Sequence, residues 1–222
     1  MSADPLELLA KAAESWGAPL KRAALEQISS YLAFVRAKNT RVNLTADAGW
    51  DDLVLKHAAD GVFAASVLRP LLTSSPRILD LGSGAGFIGI ALKLAWPEAE
   101  VTLMESVERK YRFLNAAATN TGLKGLRVLS RRAGSGAALT SYERGHDVVV
   151  SRALAELPEA LRLSWPMLAP NGLCAVFQSD EPDLADPALA KSLAAAQAAM
   201  LKSCPYRRPN ETRDRRLVLF KR

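Results

Sequence analysis

The sequence from Arg77 to Gly89 reads RILDLGSGAGFIG, and this stretch decides the fold of the chain. An apolar run leads directly into closely spaced glycines, and an apolar helical pattern follows them. This order predicts a buried strand, a tight turn and the start of a helix. Glycines suit such a turn because its backbone adopts positive φ angles and because a ligand can approach without meeting Cβ atoms. The first amides of the helix then offer unpaired donors to that ligand.

Strand and helix patterns alternate on the carboxyl-terminal side of this motif. Short apolar runs predict strands at 77–81, 101–104, 126–129, 147–151, 173–177 and 217–220. Helical patterns lie between them, at 87–95, 108–120, 157–168 and 186–201. The alternation predicts an α/β fold with a mostly parallel sheet that is covered on both faces. The last strand follows a turn-rich segment, so we expect it to enter antiparallel at the edge of the sheet.

The residues before the motif have helical patterning and no strand-like alternation. Apolar side chains recur at helical spacing from Leu25 to Val35. Loop-forming residues predict a break from Lys38 to Asp47. A third helix is expected to begin near Asp51 and to end before Pro70.

Length and composition limit the class of protein. A chain of 222 residues, 49% of them hydrophobic, can bury one substantial core but not two. We therefore predict one domain over residues 1–222, with a helical cap at 1–72 and a Rossmann-like core with a seven-stranded sheet at 73–222. No apolar run is long enough to span a membrane, and Asp4 and Glu7 stand where a secretory signal has basic residues. We expect a cytoplasmic monomer.

Metal binding is not expected, whereas an anionic partner is. Two cysteines and two histidines stand far apart, without the spacing of metal ligands. The formal net charge is +6, and arginines are concentrated in the last sixteen residues of the chain. Basic chains often bind nucleic acid, because each Lys or Arg on a phosphate releases condensed counterions.

One carboxylate decides between the two cofactors that such a glycine-rich turn binds. Gly84, Gly86 and Gly89 fit the dinucleotide pattern G-x-G-x-x-G. Asp80 ends the strand two residues before the first glycine, where its carboxylate would repel a pyrophosphate. S-adenosylmethionine (SAM) presents an ammonium and a sulfonium cation and no phosphate. The motif therefore favours SAM over a nicotinamide dinucleotide, which would also need a second nucleotide-binding half.

Two further charged residues follow neighbouring strands. Glu105 closes the second strand, where a carboxylate can accept hydrogen bonds from both hydroxyls of a ribose. Arg152 follows the fourth strand, at the edge where open α/β sheets bind ligands, and is expected to contact the methionine carboxylate or the substrate. Simpler interpretations stay open: a loop-bracing Asp80, a solvated Glu105 and a surface salt bridge for Arg152.

Five short motifs resemble those of the bacterial RsmG (GidB) family, SAM-dependent methyltransferases of a guanine N7 in 16S ribosomal RNA. In chain order they are Asn43-Leu44-Thr45, Lys56-His57 followed by Asp60, the glycine loop from Asp80 to Gly89, Ser151-Arg152-Ala153 and Arg215-Arg216-Leu217-Val218. Many methyltransferases share the glycine loop, whereas the first, second and fourth motifs in this order are more specific. The resemblance implies SAM as cofactor and ribosomal RNA or the small ribosomal subunit as partner.

The resemblance also implies roles for single residues. It assigns cofactor contacts to Gly82 and Phe87, to Ala133 and Gly134 beside the adenine, and to Arg152. Together with the motif itself this predicts a cofactor site of Asp80, Gly82, Gly84, Gly86, Phe87, Glu105, Ala133, Gly134 and Arg152. The substrate side would be formed by Asn43, His57, Arg152 and Arg216. The chain departs from the usual family residues at Lys38, Ala85, Ile88, Gly134, Gln178-Ser179 and Arg216.

No catalytic acid or base is expected for this chemistry. Guanine N7 carries a lone pair and no proton at neutral pH, so methyl transfer needs alignment of the reacting atoms rather than a base. Two alternatives stay open. The chain could methylate another RNA, a protein or a small molecule, since fold does not determine substrate. It could also be a catalytically degenerate RNA-binding homologue, as the departures at Gln178 and Gly134 would allow.

Overall fold

A seven-stranded sheet forms the centre of the computed structural model, which describes residues 3–136, 138–140, 143–209 and 211–222. The strands are β1 (Arg77–Leu81), β2 (Glu100–Glu105), β3 (Leu126–Ser130), β4 (His146–Arg152), β5 (Leu168–Gln178), β6 (Ala199–Arg207) and β7 (Asp214–Lys221). Their order is β3-β2-β1-β4-β5-β7-β6. Strands β1 to β5 pair in parallel, and β7 is antiparallel to both β5 and β6. The predicted fold class is confirmed.

The helices pack on both faces of this sheet. They are α1 (Pro5–Ser15), α2 (Arg22–Val42), α3 (Trp50–Asp52), α4 (Ala59–Leu68), α5 (Phe87–Ala95), α6 (Glu108–Thr121), α7 (Leu157–Ser164) and α8 (Pro187–Ala196). A π-helical segment, Leu53–Ala58, joins α3 to α4 without a break. Among the described residues, no helix is both long and apolar enough to cross a bilayer.

The sequence pattern missed one strand and misplaced another. Residues 186–201 were predicted as one helix, but α8 ends at Ala196 because Gln197 adopts a left-handed conformation with φ 53°. Strand β6 follows and forms the sheet edge, so β7 is antiparallel as predicted but lies inside the sheet. Most side chains of β6 are exposed and it contains Pro205, which an edge strand tolerates. An exposed edge strand has little apolar alternation, so its pattern resembles a loop.

The break predicted from Lys38 to Asp47 begins later than expected. Helix α2 continues to Val42 and ends at Asn43, which has φ 53°. The Asn39 side chain accepts hydrogen bonds from the amides of Leu44 (2.7 Å) and Thr45 (2.9 Å). Asn39 therefore remains helical and uses its polar side chain to hold the loop that follows.

The helical cap packs directly on the sheet-covering helices. The Tyr31 hydroxyl of α2 donates to the carbonyl of Ala85 in the glycine loop at 2.7 Å. Phe34 of α2 stacks on Phe113 of α6, with ring centroids 5.4 Å apart. At Gly61 in α4 an added Cβ would lie 2.6 Å from the Ile88 carbonyl, so α4 and α5 are in backbone contact. This packing brings the loop after α2 to the glycine loop. The boundary at 72/73 stays a prediction.

Candidate cofactor and substrate site

The glycine loop between β1 and α5 has the conformation that its sequence predicts. Gly82, Gly84 and Gly86 have φ angles of 75°, 60° and 87°. A Cβ added at Gly84 would meet no atom within 4 Å. Gly84 lines a cavity of about 230 Å³ between the loop and the helical cap. The bare backbone of Gly84 therefore lets a ligand approach closely.

This cavity, here called the cofactor cavity, collects most of the predicted cofactor residues. It is lined by Asp80, Gly82, Gly84, Phe87 and Arg152, together with Thr45 and His57. Gly86 shapes the turn without lining the cavity. Among the side chains that line the cavity, Asp80 is acidic and lies near the loop, and Arg152 is basic. Such a set fits a ligand that carries cations together with one carboxylate, as SAM does.

Asp80 supports the first turn of α5 from inside the protein. Its side chain is buried, and Oδ2 accepts a hydrogen bond from the Gly89 amide at 2.9 Å. This is the loop-bracing role that the sequence left open. Burial raises the pKa of Asp80 to about 7. A desolvated carboxylate beside a cavity is stabilised by a neighbouring cation, so Asp80 also fits a cationic ligand.

Glu105 ties the end of β2 to the glycine loop. Its Oε2 accepts from the Gly84 amide at 2.9 Å, and its Oε1 accepts from the amides of Ser106 and Val107 at 2.7 Å. The carboxylate is buried rather than solvated. Oε1 already accepts two bonds, whereas Oε2 can accept one more, so the predicted contact of Glu105 with a ribose is compatible with this geometry through Oε2 and stays a prediction.

Arg152, at the end of β4, forms a buried ion pair. Its Nη1 donates to Oδ2 of Asp60 at 2.7 Å, and its Nη2 lies 2.8 Å from Nδ1 of His57. Asp60 is fully buried, and the Arg152 side chain is 20% exposed. The pair is therefore not the surface salt bridge that was considered as an alternative.

His57 is held as a neutral ring between Arg152 and Phe87. Its ring stacks on that of Phe87, with centroids 4.1 Å apart and planes 7° from parallel. Burial, and then the charge of Arg152, lowers the pKa of His57 to about 4. Because Nδ1 faces a guanidinium donor, the proton is assigned to Nε2, which lies 3.2 Å from Oγ1 of Thr45.

Asp60 joins three distant parts of the chain. Besides Arg152, it accepts two hydrogen bonds from the Arg208 guanidinium, at 2.7 and 2.5 Å, and one from the Tyr206 hydroxyl at 2.5 Å. Burial alone would raise the pKa of Asp60, but the hydrogen bonds and charges of Arg208 and Arg152 outweigh it, so the pKa is lowered. Sequence reasoning did not assign Tyr206 or Arg208 to the site, because the strand that positions them was missed.

A second cavity, of about 680 Å³, adjoins the cofactor cavity and is here called the substrate cavity. Both cavities are lined by His57, Arg152 and Ala153. Ala153 has φ 52°, an uncommon value for a residue with a side chain, where the chain turns away from β4. The substrate cavity also contains Gln178, one of the departures from the usual family residues. A group transferred between the two cavities would pass these three residues.

Besides Gly86 and Glu105, four predicted site residues lie outside both cavities as far as the described residues show. Asn43 is exposed and ends α2. Arg216 pairs with Glu181 at 2.6 Å. Ala133 packs against a buried apolar cluster, and Gly134 lines a separate cavity of about 150 Å³ beneath α7. The loop after β3 contains residues 137, 141 and 142, which are outside the described set. The roles proposed for these four residues stay predictions.

The low pKa of His57 makes stability depend on pH. In the unfolded chain His57 titrates near 6.5, so between pH 6.5 and 4 the unfolded state binds a proton that the folded state does not. Stability from this group is present above pH 6.5 and lost toward pH 4. We expect the difference in unfolding free energy between wild type and His57→Gln to shrink by about 2 kcal/mol from pH 7 to 4.5.

Urea denaturation at several pH values measures this difference. Asp80, whose raised pKa has the opposite effect on stability in this range, is present in both proteins and cancels. Arg152, Asp60, Asp47 and Arg208 also act on His57 and are unchanged by the substitution. Parallel pH profiles of the two proteins would contradict the prediction.

The fold and the loop define the class of the protein. Two buried carboxylates, Asp80 and Glu105, hold the glycine loop and the first turn of the helix that follows it. This sheet order with such a loop is that of SAM-dependent methyltransferases. Two solved structures share the fold. A methyltransferase from Pyrococcus furiosus matches with a TM-score of 0.58 at 15% identity, over 86% of this chain and 94% of that one. TYW2 from M. jannaschii, in complex with AdoMet, matches with a TM-score of 0.53 at 11% identity, over 73% and 74%.

Sequence comparison gives the particular family. The model of the GidB family, described as rRNA small subunit methyltransferase G, matches residues 24–208, and the chain belongs to this family. The resemblance stated from the motifs is confirmed, and SAM is the cofactor. Among the described residues, no group of three or more His, Cys, Asp or Glu side chains could hold a metal ion.

Three curated relatives carry the name ribosomal RNA small subunit methyltransferase G. The protein from Roseiflexus sp. (strain RS-1) is 36% identical over 167 residues, which are 75% of this chain and 70% of the relative. That from Dehalococcoides mccartyi (strain CBDB1) is 33% identical over 156 residues, 70% of this chain and 65% of the relative. That from Myxococcus xanthus (strain DK1622) is 35% identical over 182 residues, 82% and 81%. The matches therefore cover 65 to 81% of these relatives.

Proposed function

We propose that this protein transfers the methyl group of SAM to N7 of a guanine in 16S ribosomal RNA, in the cytoplasm and as a monomer. The observation that carries the proposal is the junction of the two cavities at His57, Arg152 and Ala153, in a chain of the GidB family. The names of the relatives support small-subunit ribosomal RNA as the substrate. The position N7 follows from the resemblance of the motifs.

The charge of the substrate cavity supports a base rather than a phosphate as its occupant. Six carboxylates line it, namely Asp47, Asp60, Glu156, Asp180, Glu181 and Glu211. Four permanent cations line it, namely Lys56, Arg152, Arg208 and Arg215. All four cations already pair with carboxylates, and Asp180 and Glu181 pair with arginines outside the lining, so the described lining presents no unpaired cation to a phosphate group. Its carboxylates suit the Watson–Crick edge of guanine, which presents N–H donors, and they suit the positive charge that the purine gains on methylation.

The residues at the junction need only align the reacting groups. When bound, SAM would supply an electrophilic methyl group: the lone pair of guanine N7 would form the new N–CH3 bond while the S–CH3 bond breaks, which leaves a neutral thioether and a positively charged purine. His57, which is neutral, and Arg152 lie at the junction of the two cavities. Hydrogen bonds to Thr45 and Asp60 hold these two side chains in position. This is catalysis by proximity and orientation, for which no general base is required. A base flipped from the RNA would be gripped by edge contacts in the substrate cavity.

Methyl transfer to isolated ribosomal subunits tests the proposal. The purified protein is incubated with methyl-labelled SAM and with small ribosomal subunits from a strain that lacks this gene. We expect label on one guanine N7 of 16S RNA. Label on another RNA, a protein or a metabolite would replace the proposed substrate. SAM binding measured by calorimetry, without transfer to any RNA, would favour the degenerate RNA-binding homologue.

A further inference from the structure

Five of the seven basic residues in the tail, which begins at Arg207, are paired with carboxylates of the same chain. Arg207 pairs with Asp214 at 2.8 Å, and Arg213 pairs with Asp180 at 2.7 Å. Three more arginines have acidic partners: Arg208 with Asp60 and Glu211, Arg215 with Glu211, and Arg216 with Glu181. The prediction that this tail attracts an anion therefore does not follow from its composition. The net positive charge of the molecule must be presented elsewhere.

Cations without acidic partners stand where α2 and α6 meet. Within the described part of the chain, no ion pair is formed by Lys38, Arg41, Arg109 or Lys110. Lys38, Arg41 and Arg109 are exposed, and Lys110 is half-buried. The nearby Glu108 is engaged by Arg112 at 2.7 Å.

Helix geometry places these four cations on one surface. Phe34 of α2 stacks on Phe113 of α6, which fixes the contact between the helices. Lys38 and Arg41 follow Phe34 by four and seven residues and so share its face of α2, and the Lys38 ammonium lies 5.6 Å from the Phe34 ring. Arg109 and Lys110 precede Phe113 by four and three residues and share its face of α6.

The surface lies next to the junction of the two cavities. Lys110 lines the cofactor cavity together with Thr45. Thr45 follows Arg41 by four residues and lies 3.2 Å from the His57 ring. Cations on the last turns of α2 and the first turn of α6 therefore border the place where a flipped base would meet the cofactor.

We propose that Lys38, Arg41, Arg109 and Lys110 form the surface that holds the phosphate backbone of the RNA substrate. This inference rests on the proposed function and names where the RNA is gripped. The cations that line the substrate cavity are already paired with carboxylates, so the phosphates on either side of a bound base need cations outside that cavity. Free cations release condensed counterions when they contact phosphate, whereas paired arginines must first lose their carboxylate partners.

The test compares two triple variants that remove the same charge. The surface variant is Lys38→Gln, Arg41→Gln, Arg109→Gln, which leaves Lys110 and the cofactor cavity intact. The control variant is Arg22→Gln, Arg207→Gln, Arg213→Gln, at three exposed and ion-paired arginines. Affinity for deproteinised 16S RNA is measured over a range of salt concentrations. Thermal unfolding and SAM affinity confirm that both variants are folded.

We expect the surface variant to lose at least tenfold in RNA affinity, and the slope of log affinity against log salt to fall by about two. The control variant should lose less than threefold. Equal losses in the two variants would overturn the inference. Unchanged RNA affinity in the surface variant would also overturn the inference and would favour an acidic protein as the partner. A wild-type protein that does not bind RNA would overturn it as well. Wild-type RNA binding without methyl transfer would contradict the proposed function and leave this surface standing.

Discussion

Replacing Asp60 by Ala is expected to lower the free energy of unfolding by about 3–5 kcal/mol. The carboxylate is fully buried and compensates two guanidinium groups, those of Arg152 and Arg208. Arg208 is itself 7% exposed, so it cannot regain water when its partner is removed. Without Asp60, Arg208 keeps only Glu211 at 3.2 Å and Arg152 keeps no acidic partner among the described residues, and such poorly compensated charges cost far more than the loss of an exposed pair. Urea denaturation at pH 7 measures the change.

Asp214→Ala is the matched control for this substitution. Asp214 also pairs with an arginine, Arg207, but both side chains are more than half exposed. Its removal should change the free energy of unfolding by less than about 1 kcal/mol.

The effects of the two substitutions on stability should also depend differently on pH in acid. The pKa of Asp60 is lowered on folding, so its contribution is present above its unfolded pKa of 3.8 and lost as pH falls through the folded value. Equal losses in Asp60→Ala and Asp214→Ala at pH 7 would show that the buried network does not stabilise the fold.

Replacing Arg152 by Ala is expected to lower the turnover number about 100-fold while the protein stays folded. The guanidinium lines both cavities and fixes the His57 ring by its Nη2. Asp60 keeps its two bonds from Arg208 and its bond from Tyr206, so the buried carboxylate is still compensated. The loss therefore falls on alignment rather than on stability. Single-turnover methyl transfer at saturating SAM and RNA measures it.

A lysine at this position separates charge from geometry. Arg152→Lys keeps the positive charge but lacks the planar fork in which one nitrogen reaches Asp60 and another reaches His57, so we expect it to recover only part of the rate. Weaker SAM binding in Arg152→Ala would indicate contact with the methionine carboxylate, and a higher KM for RNA would indicate contact with the base. Arg207→Ala, at an exposed pair, should keep the wild-type rate. Near-normal turnover of Arg152→Ala would remove Arg152 from the site.

Most of the cofactor residues that were predicted from local pattern line one cavity of the structure, and their contacts with a ligand stay predictions. The run from Arg77 to Gly89 dictates a strand, a turn with positive φ angles and a helix, because each requirement is met within a few residues. Asp80 and Arg152 follow from the same rule, since both stand at the carboxyl ends of neighbouring parallel strands. Their partners were not predicted: Asp80 accepts a hydrogen bond from the Gly89 amide, and Arg152 pairs with Asp60.

The five parallel strands with their glycine loop, the cofactor and the family could be predicted from the sequence, because backbone conformation and short motifs are encoded by neighbours in the chain. Which charged side chains pair with one another depends on the folded structure alone. Asp60 bonds Arg152 across 92 positions and Arg208 across 148. Ion pairs also engage five arginines of the basic tail, whereas the described residues form none with Lys38, Arg41, Arg109 or Lys110. Ion pairs depend on distances that only the folded chain sets, so composition locates the charge of a protein but not the surface that presents it.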